Sequence, residues 1–157
     1  MSKKRQRDIE LFIVDILVAM QQLKRYVEPF ENKDDFRHSS LHWDASIRQL
    51  EVIGEVLNKL LDNVEFNKAS PRYFRKIVNF RNVISHGYFG IDVDEVWNVI
   101  IEKLDNLEED LEEIVIKRIN LDLAISTEVE AYIQLEDTFL VTYLTKLQNK
   151  FLEVNNA

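Results

Sequence analysis

Residues 70–90 read Ser70-Pro71-Arg72-Tyr73-Phe74-Arg75-Lys76-Ile77-Val78-Asn79-Phe80-Arg81-Asn82-Val83-Ile84-Ser85-His86-Gly87-Tyr88-Phe89-Gly90. Ser70 followed by Pro71 is a helix start: serine caps the free amides, and proline costs nothing at a first position that has no amide to donate. Phe74, Ile77, Val78, Arg81 and Ile84 then recur at helical spacing. The helix cannot run far past His86, because Gly87 and Gly90 follow closely.

Outward from this segment, the same period recurs on both sides. Ile9, Phe12, Ile13, Ile16, Leu17, Met20 and Leu23 form one apolar stripe, predicting a helix from about Arg5 to Val27 that Pro29 ends. Glu31 to Ser40 is polar and reads as a loop. Ser39 or Ser40 can cap a second helix whose stripe is Leu50, Ile53, Leu57, Leu60 and Leu61. Gly54 sits inside it, at a cost of about 1 kcal/mol relative to alanine, which is tolerable where another helix crosses closely. Downstream, Asp92 with Glu95 has capping-box spacing. Val96, Trp97, Ile100, Ile101, Leu104, Leu107, Leu111 and Ile114 carry a fourth helix to about residue 116.

Beyond it, Leu121, Leu123 and Ile125 alternate, as do Val129, Ala131, Ile133 and Leu135. Period two suggests a short hairpin within 117–135, while helix propensity there is also acceptable, so both readings stand. Phe139, Leu140, Tyr143, Leu144, Leu147 and Phe151 give a last helical stripe. The expected fold is all-α: an antiparallel four-helix bundle over residues 1–116, with residues 117–157 as an additional C-terminal segment packed on the same domain.

Composition agrees. The chain has 157 residues, 46% of them apolar and 31% charged, enough for one core and a wet surface. Three Gly and two Pro are too few for the tight turns of a sandwich or barrel. The absence of Cys excludes disulfides, thiolate catalysis and Cys-based zinc sites, and fits a reducing cytoplasm. The basic start, MSKKRQRDIE, leads into a segment broken by Asp8, Glu10 and Asp15, so neither a secretory core nor a membrane span is expected. The expectation is a cytoplasmic protein without a membrane partner.

A net charge of −8 is awkward for a protein that handles nucleic acid. Its distribution matters more than its sum. From Phe66 to Ile91 no acidic residue occurs, and Lys68, Arg72, Arg75, Lys76 and Arg81 make that window +5, leaving −13 on the rest of the chain. Such a strip can collect a phosphate backbone; the plainer alternative is a basic helix paired with an acidic neighbour.

Chemistry concentrates at the end of the same helix. Arg81 and His86, five apart, stand roughly 140° apart around an ideal helix. Asn82 shares a face with His86, and Arg81 with Ser85. If the helix unwinds at Ser85-His86-Gly87, a glycine in the left-handed region makes the exit cheap and His86 swings toward Arg81. An imidazole, with an ordinary pKa of about 6.5, can take or give a proton, and a guanidinium fork matches two phosphate oxygens. Those are the needs of metal-free RNA cleavage: a base for the 2′-hydroxyl and a cation for the developing phosphorane charge. Asn82 and Ser85 can add neutral hydrogen bonds. By spacing alone the catalytic case is weak, since a lone His near a helix C-terminus more often caps the last carbonyls and meets the helix dipole.

Arg81-Asn82-Val83-Ile84-Ser85-His86-Gly87-Tyr88 resembles the R-x4-H-x-Y signature of HepT toxins, a branch of the HEPN superfamily, matching at Arg81, His86 and Tyr88. Asn82 stands where these ribonucleases favour a polar residue. Arg7-Asp8-Ile9 with Asp15-Ile16, Asp44-Ala45 with Ile53-Gly54-Glu55, and Tyr88-Phe89 with Val93 and Glu95-Val96-Trp97 resemble the family's other landmarks, in order, over roughly residues 5–115. The resemblance implies a homodimeric HEPN bundle whose signature helices meet at a shared cleft. It implies a metal-independent endoribonuclease acting on cellular tRNA or mRNA, the toxin of a type VII toxin–antitoxin pair, without cofactor. Its partner would be a MntA-like nucleotidyltransferase antitoxin that silences it by attaching AMP to the signature tyrosine. Carried over, Arg81 and His86 are the catalytic pair, Asn82 and Ser85 support them, and Tyr88 is the modification site. Lys68, Arg72, Arg75 and Lys76 are the RNA-binding strip. An adenylate on Tyr88 would set negative charge and bulk at the mouth of a phosphate site. Residues 117–157 lie beyond the resemblance and are expected to extend the dimer contact or to bind the antitoxin.

Two alternatives compete: a non-catalytic HEPN module that binds a nucleotidyltransferase or RNA, and a plain helical scaffold capped at His86. His38 and His42 have helical zinc spacing but no third ligand nearby, so they read as a solvated pair and no metal site is expected. Glu55 reads as an exposed helix residue, Trp97 as core, and the acidic run Glu108-Glu109-Asp110 with Glu112-Glu113 as a solvated face.

Overall fold

The computed structural model describes the backbone of residues 3–87, 90–118 and 122–157, with the side chains of 8–87, 90–116 and 124–157. Helix α1 (Lys3–Val27) is the spine. Its stripe is buried as expected: Ile13, Ile16, Leu17, Met20 and Leu23 are fully enclosed. Val14, Val18 and Ala19, off that stripe, are buried too, so α1 is covered on more than one side. Helix α3 (Ser40–Leu61) packs along one side, with Leu50, Ile53, Leu57 and Leu60 inward, and helix α5 (Phe74–His86) packs on α3.

Residues 93–118 form a continuous helical run: α6 (Val93–Asn98), a π turn (Val99–Lys103) and α7 (Leu104–Arg118). Asp92 caps it, its carboxylate accepting from the amides of Asp94 at 2.8 Å and Glu95 at 3.4 Å. Val96, Ile100, Leu104, Leu107, Leu111 and Ile114 face the core, whereas Ile101, inside the π turn, is exposed.

The hairpin reading of 117–135 gives way to helix α8 (Asp122–Gln134), followed by α9 (Thr138–Asn156). The period-two pattern does not mark one buried face: Ile125 is buried and Val129 packs on the core, whereas Ala131, Ile133 and Leu135 are exposed. Leu121 lies outside the described residues. Helix α8 packs on α1 and α9, and Ala124, Ile125, Leu140, Leu144 and Leu147 join the same contiguous core. Asp137 caps α9 through the Leu140 amide and takes a two-pronged bond from Arg25 at the end of α1, at 3.0 and 3.2 Å. Among the described residues the chain is all helix, as expected from composition and period.

Two short helices were not expected. Helix α2 (Lys33–His38) occupies the predicted loop: Asn32 caps it, accepting from the Asp35 amide at 2.9 Å. Its single apolar residue, Phe36, is fully buried against Phe30, Trp43 and Trp97, with ring centroids 5.5–5.7 Å apart. Helix α4 (Val64–Ala69) is capped by Asn63 and anchored by buried Phe66. Its presence moves the start of α5. Ser70 donates its hydroxyl back to the Phe66 carbonyl at 2.7 Å and closes α4 instead of capping α5. Pro71 opens a tight turn of i-to-i+3 bonds, Phe74 to Pro71 and Arg75 to Arg72, from which α5 winds out at Phe74.

The acidic run on α7 is a set of staples more than a solvated face. Glu108 accepts from Gln21 and Lys24 of α1, Asp110 from the Tyr73 hydroxyl and Glu112 from Lys150 of α9.

Candidate active site

Helices α3 and α5 cross where Gly54 meets Arg81. A methyl group on Gly54 would lie 2.2 Å from the Arg81 Cβ and 2.6 Å from its Cγ. The mid-helix glycine is therefore the condition for the approach, and Arg81 lies along α3 rather than projecting freely. Its Nε is buried without a hydrogen-bond partner. An unpaired buried donor costs about 1–3 kcal/mol, a loss that folds tolerate chiefly where a site needs it. The guanidinium reaches past this contact to the surface, where Nη1 donates to Asn82 Oδ1 at 3.1 Å.

Helix α5 stays wound through His86, so the unwinding at Ser85-His86-Gly87 that would let His86 swing toward Arg81 does not occur. Gly87 closes the helix at φ −106°, outside the left-handed region. Glycine is needed there for a different reason: a Cβ would stand 2.9 Å from the Val83 carbonyl oxygen. Gly90 donates to the Gly87 carbonyl at 2.9 Å and turns the chain toward α6. Arg81 instead reaches Asn82, one helical turn before His86, by the length of its own side chain. Asn82 and His86, one turn apart, are both exposed, and the guanidinium is tied to Asn82. Ser85 faces the other way, its hydroxyl donating to Glu51 Oε1 of α3 at 3.4 Å, with Arg48 3.5 Å from the same carboxylate. Tyr88 lies outside the described residues.

Arg72, Arg75 and Lys76 are exposed and without an ion pair among the described residues, whereas Lys68 stands 3.8 Å from Glu65. Arg75, Asn79, Asn82 and His86 follow at steps of four, three and four, all exposed, so they share one face of α5. Val83 beside them is 58% exposed. The geometry is a cationic approach leading to one imidazole and one guanidinium, and it suits a polyanion laid along the helix.

The other candidates separate from this face. His42 is hydrogen-bonded through Nδ1 to the Ser39 hydroxyl at 2.7 Å, its ring edge against Phe30, while His38 is exposed. No cluster of three metal-ligating side chains exists among the described residues. Glu55 is exposed and paired with Lys59 at 3.3 Å, and Trp97 packs on the core. Sequence reasoning missed Glu51 as the partner of Ser85; its place on α3, one turn before Gly54, was the available signal. No described helix is long and apolar enough to cross a membrane.

The all-helical bundle and its exposed Arg-Asn-His helix end define a HEPN-type protein. Residues 16–114 match the ribonuclease HepT-like family, and the chain belongs to that family. Its relatives include "Putative RNase MJ0127" of Methanocaldococcus jannaschii, 30% identical over 69% of this chain and 88% of the relative. "Probable ribonuclease HepT" of Thermococcus cleftensis is 29% identical over 66% of this chain and 92% of the relative. No solved structure matches the chain significantly.

Proposed function

We propose that this protein is a metal-independent endoribonuclease, the toxin of a HEPN–nucleotidyltransferase pair, acting on cellular tRNA or mRNA as a homodimer. The observation that carries the reading is the guanidinium of Arg81, drawn to Asn82 on the exposed face that holds His86, in a chain of the HepT-like family.

In this mechanism His86 takes the proton of the RNA 2′-hydroxyl, whose oxygen attacks the adjacent phosphorus. The charge that builds on the non-bridging oxygens meets the Arg81 fork. The 5′-oxygen of the next nucleotide leaves and takes a proton from water, His86 returns its own to solvent, and the products are a 2′,3′-cyclic phosphate and a 5′-hydroxyl end. Asn82 holds the guanidinium; Ser85, bonded to Glu51, steadies the helix end from the α3 side. Arg72, Arg75, Lys76 and Lys68 gather the backbone. In a homodimer two α5 helices face one another, which the exposed Val83 favours, and each active face then borders a common cleft.

AMP placed on Tyr88, two residues beyond His86, would bring a phosphate into competition for the same cations. A nucleotidyltransferase antitoxin is the partner this implies, with residues 117–157 as added contact surface for it or for the second protomer.

The test is cleavage of RNA in EDTA by the purified protein and by His86→Ala and Arg81→Ala. Both variants should remain folded and lose cleavage by a hundredfold or more, in line with the roughly 10²–10⁴ that a positioned acid–base group contributes. A variant that cuts at the parent's rate, or a parent revived only by a divalent ion, removes the assignment.

A further inference from the structure

Between α5 and the α6–α7 run lies a groove of about 440 Å³ that the proposed chemistry does not use. Tyr73, Ile77 and Phe80 form its α5 wall, and Val99, from the π turn, faces them. Lys76 stands on one side and Lys103 on the other, neither with an ion pair among the described residues. Glu95 and Asn106 complete the lining. The Tyr73 hydroxyl is held by Asp110. That bond joins the start of α5 to α7, so the two walls run antiparallel and the Glu95 end lies toward His86.

Resting on the ribonuclease reading above, we propose that this groove is a nucleobase subsite, taking the base of a nucleotide near the scissile phosphodiester, and that it favours a base with an exocyclic amino group. Four features converge on that ligand. The volume is that of a small-molecule site, and the walls are aromatic and aliphatic with a few polar groups, as a base requires. Single-stranded RNA is read by splaying bases onto aromatic side chains. A lysine from each wall can meet the phosphates that flank the base. Glu95 is a pure acceptor, so it suits the amino donor of adenine, cytosine or guanine, whereas the N3–H donor of uracil is flanked by two carbonyl oxygens that oppose a carboxylate.

The position fits as well. Lys76 and Phe80 each directly follow a member of the exposed stripe, Arg75 and Asn79, and so lie roughly 100° around the helix from it. A backbone laid along Arg72, Arg75 and Asn82 can therefore drop a base sideways into the groove. The π turn supplies the opposite wall: both its first residue, Val99, and its last, Lys103, line the groove. Such turns break regular helical bonding and recur at functional sites.

The test uses the whole protein with methyl-labelled Ile and Val, titrated with AMP, GMP, CMP and UMP. The methyl signals of Ile77 and Val99 should shift with the first three, and with UMP about tenfold more weakly. Val99→Phe, which fills the groove, should abolish the shifts. Lys103→Glu, an exposed change safe for folding, should weaken AMP binding about tenfold, the scale of one lost base or phosphate contact. Unmoved methyls at millimolar nucleotide, or AMP binding unchanged in both variants, would overturn the subsite. So would shifts that follow protein concentration alone, which would make the groove a contact between copies of this chain. The same sample tested on RNA separates the two readings. Cleavage with silent methyls removes the subsite and leaves the nuclease; shifting methyls without cleavage removes the nuclease and leaves a nucleotide-binding groove.

Discussion

Gly54 and Arg81 form the contact on which the site turns. The arginine Cβ and Cγ occupy the space that any side chain at 54 would need. A Gly54→Ala change raises helix propensity in α3, yet it must push α5 outward, because the obstructing atoms sit at the root of Arg81 and cannot swing aside. The expected outcome is a net loss of stability of about 1–3 kcal/mol, as for other overpacked contacts, together with a fall in cleavage. Urea denaturation and an RNA assay on the same protein check it; a stabilised, fully active variant would contradict the account. The need for a close crossing at Gly54 was legible in the sequence. That Arg81 is the crossing residue was not, because it depends on how two helices separated by α4 and its flanking turns dock. The spacing of Arg81, Asn82, Ser85 and His86 did reveal which pairs share a face. It did not reveal that the Arg81 side chain bends to Asn82 while the backbone stays helical through His86.

At the scale of elements, the long helices were readable from their apolar period, and the short ones were not. Helices α2 and α4 each hold one buried apolar anchor, Phe36 and Phe66, which is too little for a period to show. The π turn leaves no mark on composition and appears only as Ile101 facing outward. Helix α8 was ambiguous for a reason that bears on its energetics: its outer residues are apolar and polar in alternation without a buried partner. Against α1 it brings Glu128 toward Asp15. Burial raises both carboxyl pKa values, and the charge of Asp15 raises Glu128 further, while Lys59 partly offsets the effect at Asp15. Tyr132, raised by burial and by these same carboxylates, faces them too. For an acid raised in the folded state, the fold holds its proton more tightly than the unfolded chain does. Stability therefore falls as pH rises from the ordinary values, 3.8 and 4.5, through the raised ones. Glu128→Gln should raise the melting temperature at pH 7 and flatten its decline as pH rises above the ordinary glutamate value of 4.5. Equal melting curves for parent and variant across that range would show that the pair carries no such cost.

Over the whole molecule, an acidic chain presents one cationic helix. The net charge of −8 opposes a polyanion, and the acid-free +5 stretch from Phe66 to Ile91, which holds α5, offers it the longest approach clear of acidic residues. Binding of RNA should therefore depend on few cations and respond sharply to their loss. Replacing Arg72 and Arg75 together by Gln should weaken single-stranded RNA binding at every sequence alike and reduce the slope of log K against log salt by about 1.4, two cations at roughly 0.7 each. A variant with the parent's salt slope would place the RNA on another surface. Residues 122–157 take part in the fold: helix α8 packs on α1 and on α9, and apolar residues of both join the same core. We expect this extension to be part of one folding unit with residues 1–116.

The claim on which all of this depends is that the RNA's own 2′-hydroxyl, deprotonated at His86, attacks a phosphorus held by Arg81. The direct measurement is cleavage in EDTA of two oligonucleotides that differ only by a 2′-deoxy nucleotide on the 5′ side of the cut bond, with the product ends identified by mass spectrometry. The account predicts cleavage of the all-ribose strand alone, leaving a 2′,3′-cyclic phosphate and a 5′-hydroxyl. Cleavage of the deoxy-substituted strand at the same bond, or products ending in a 5′-phosphate, would contradict it.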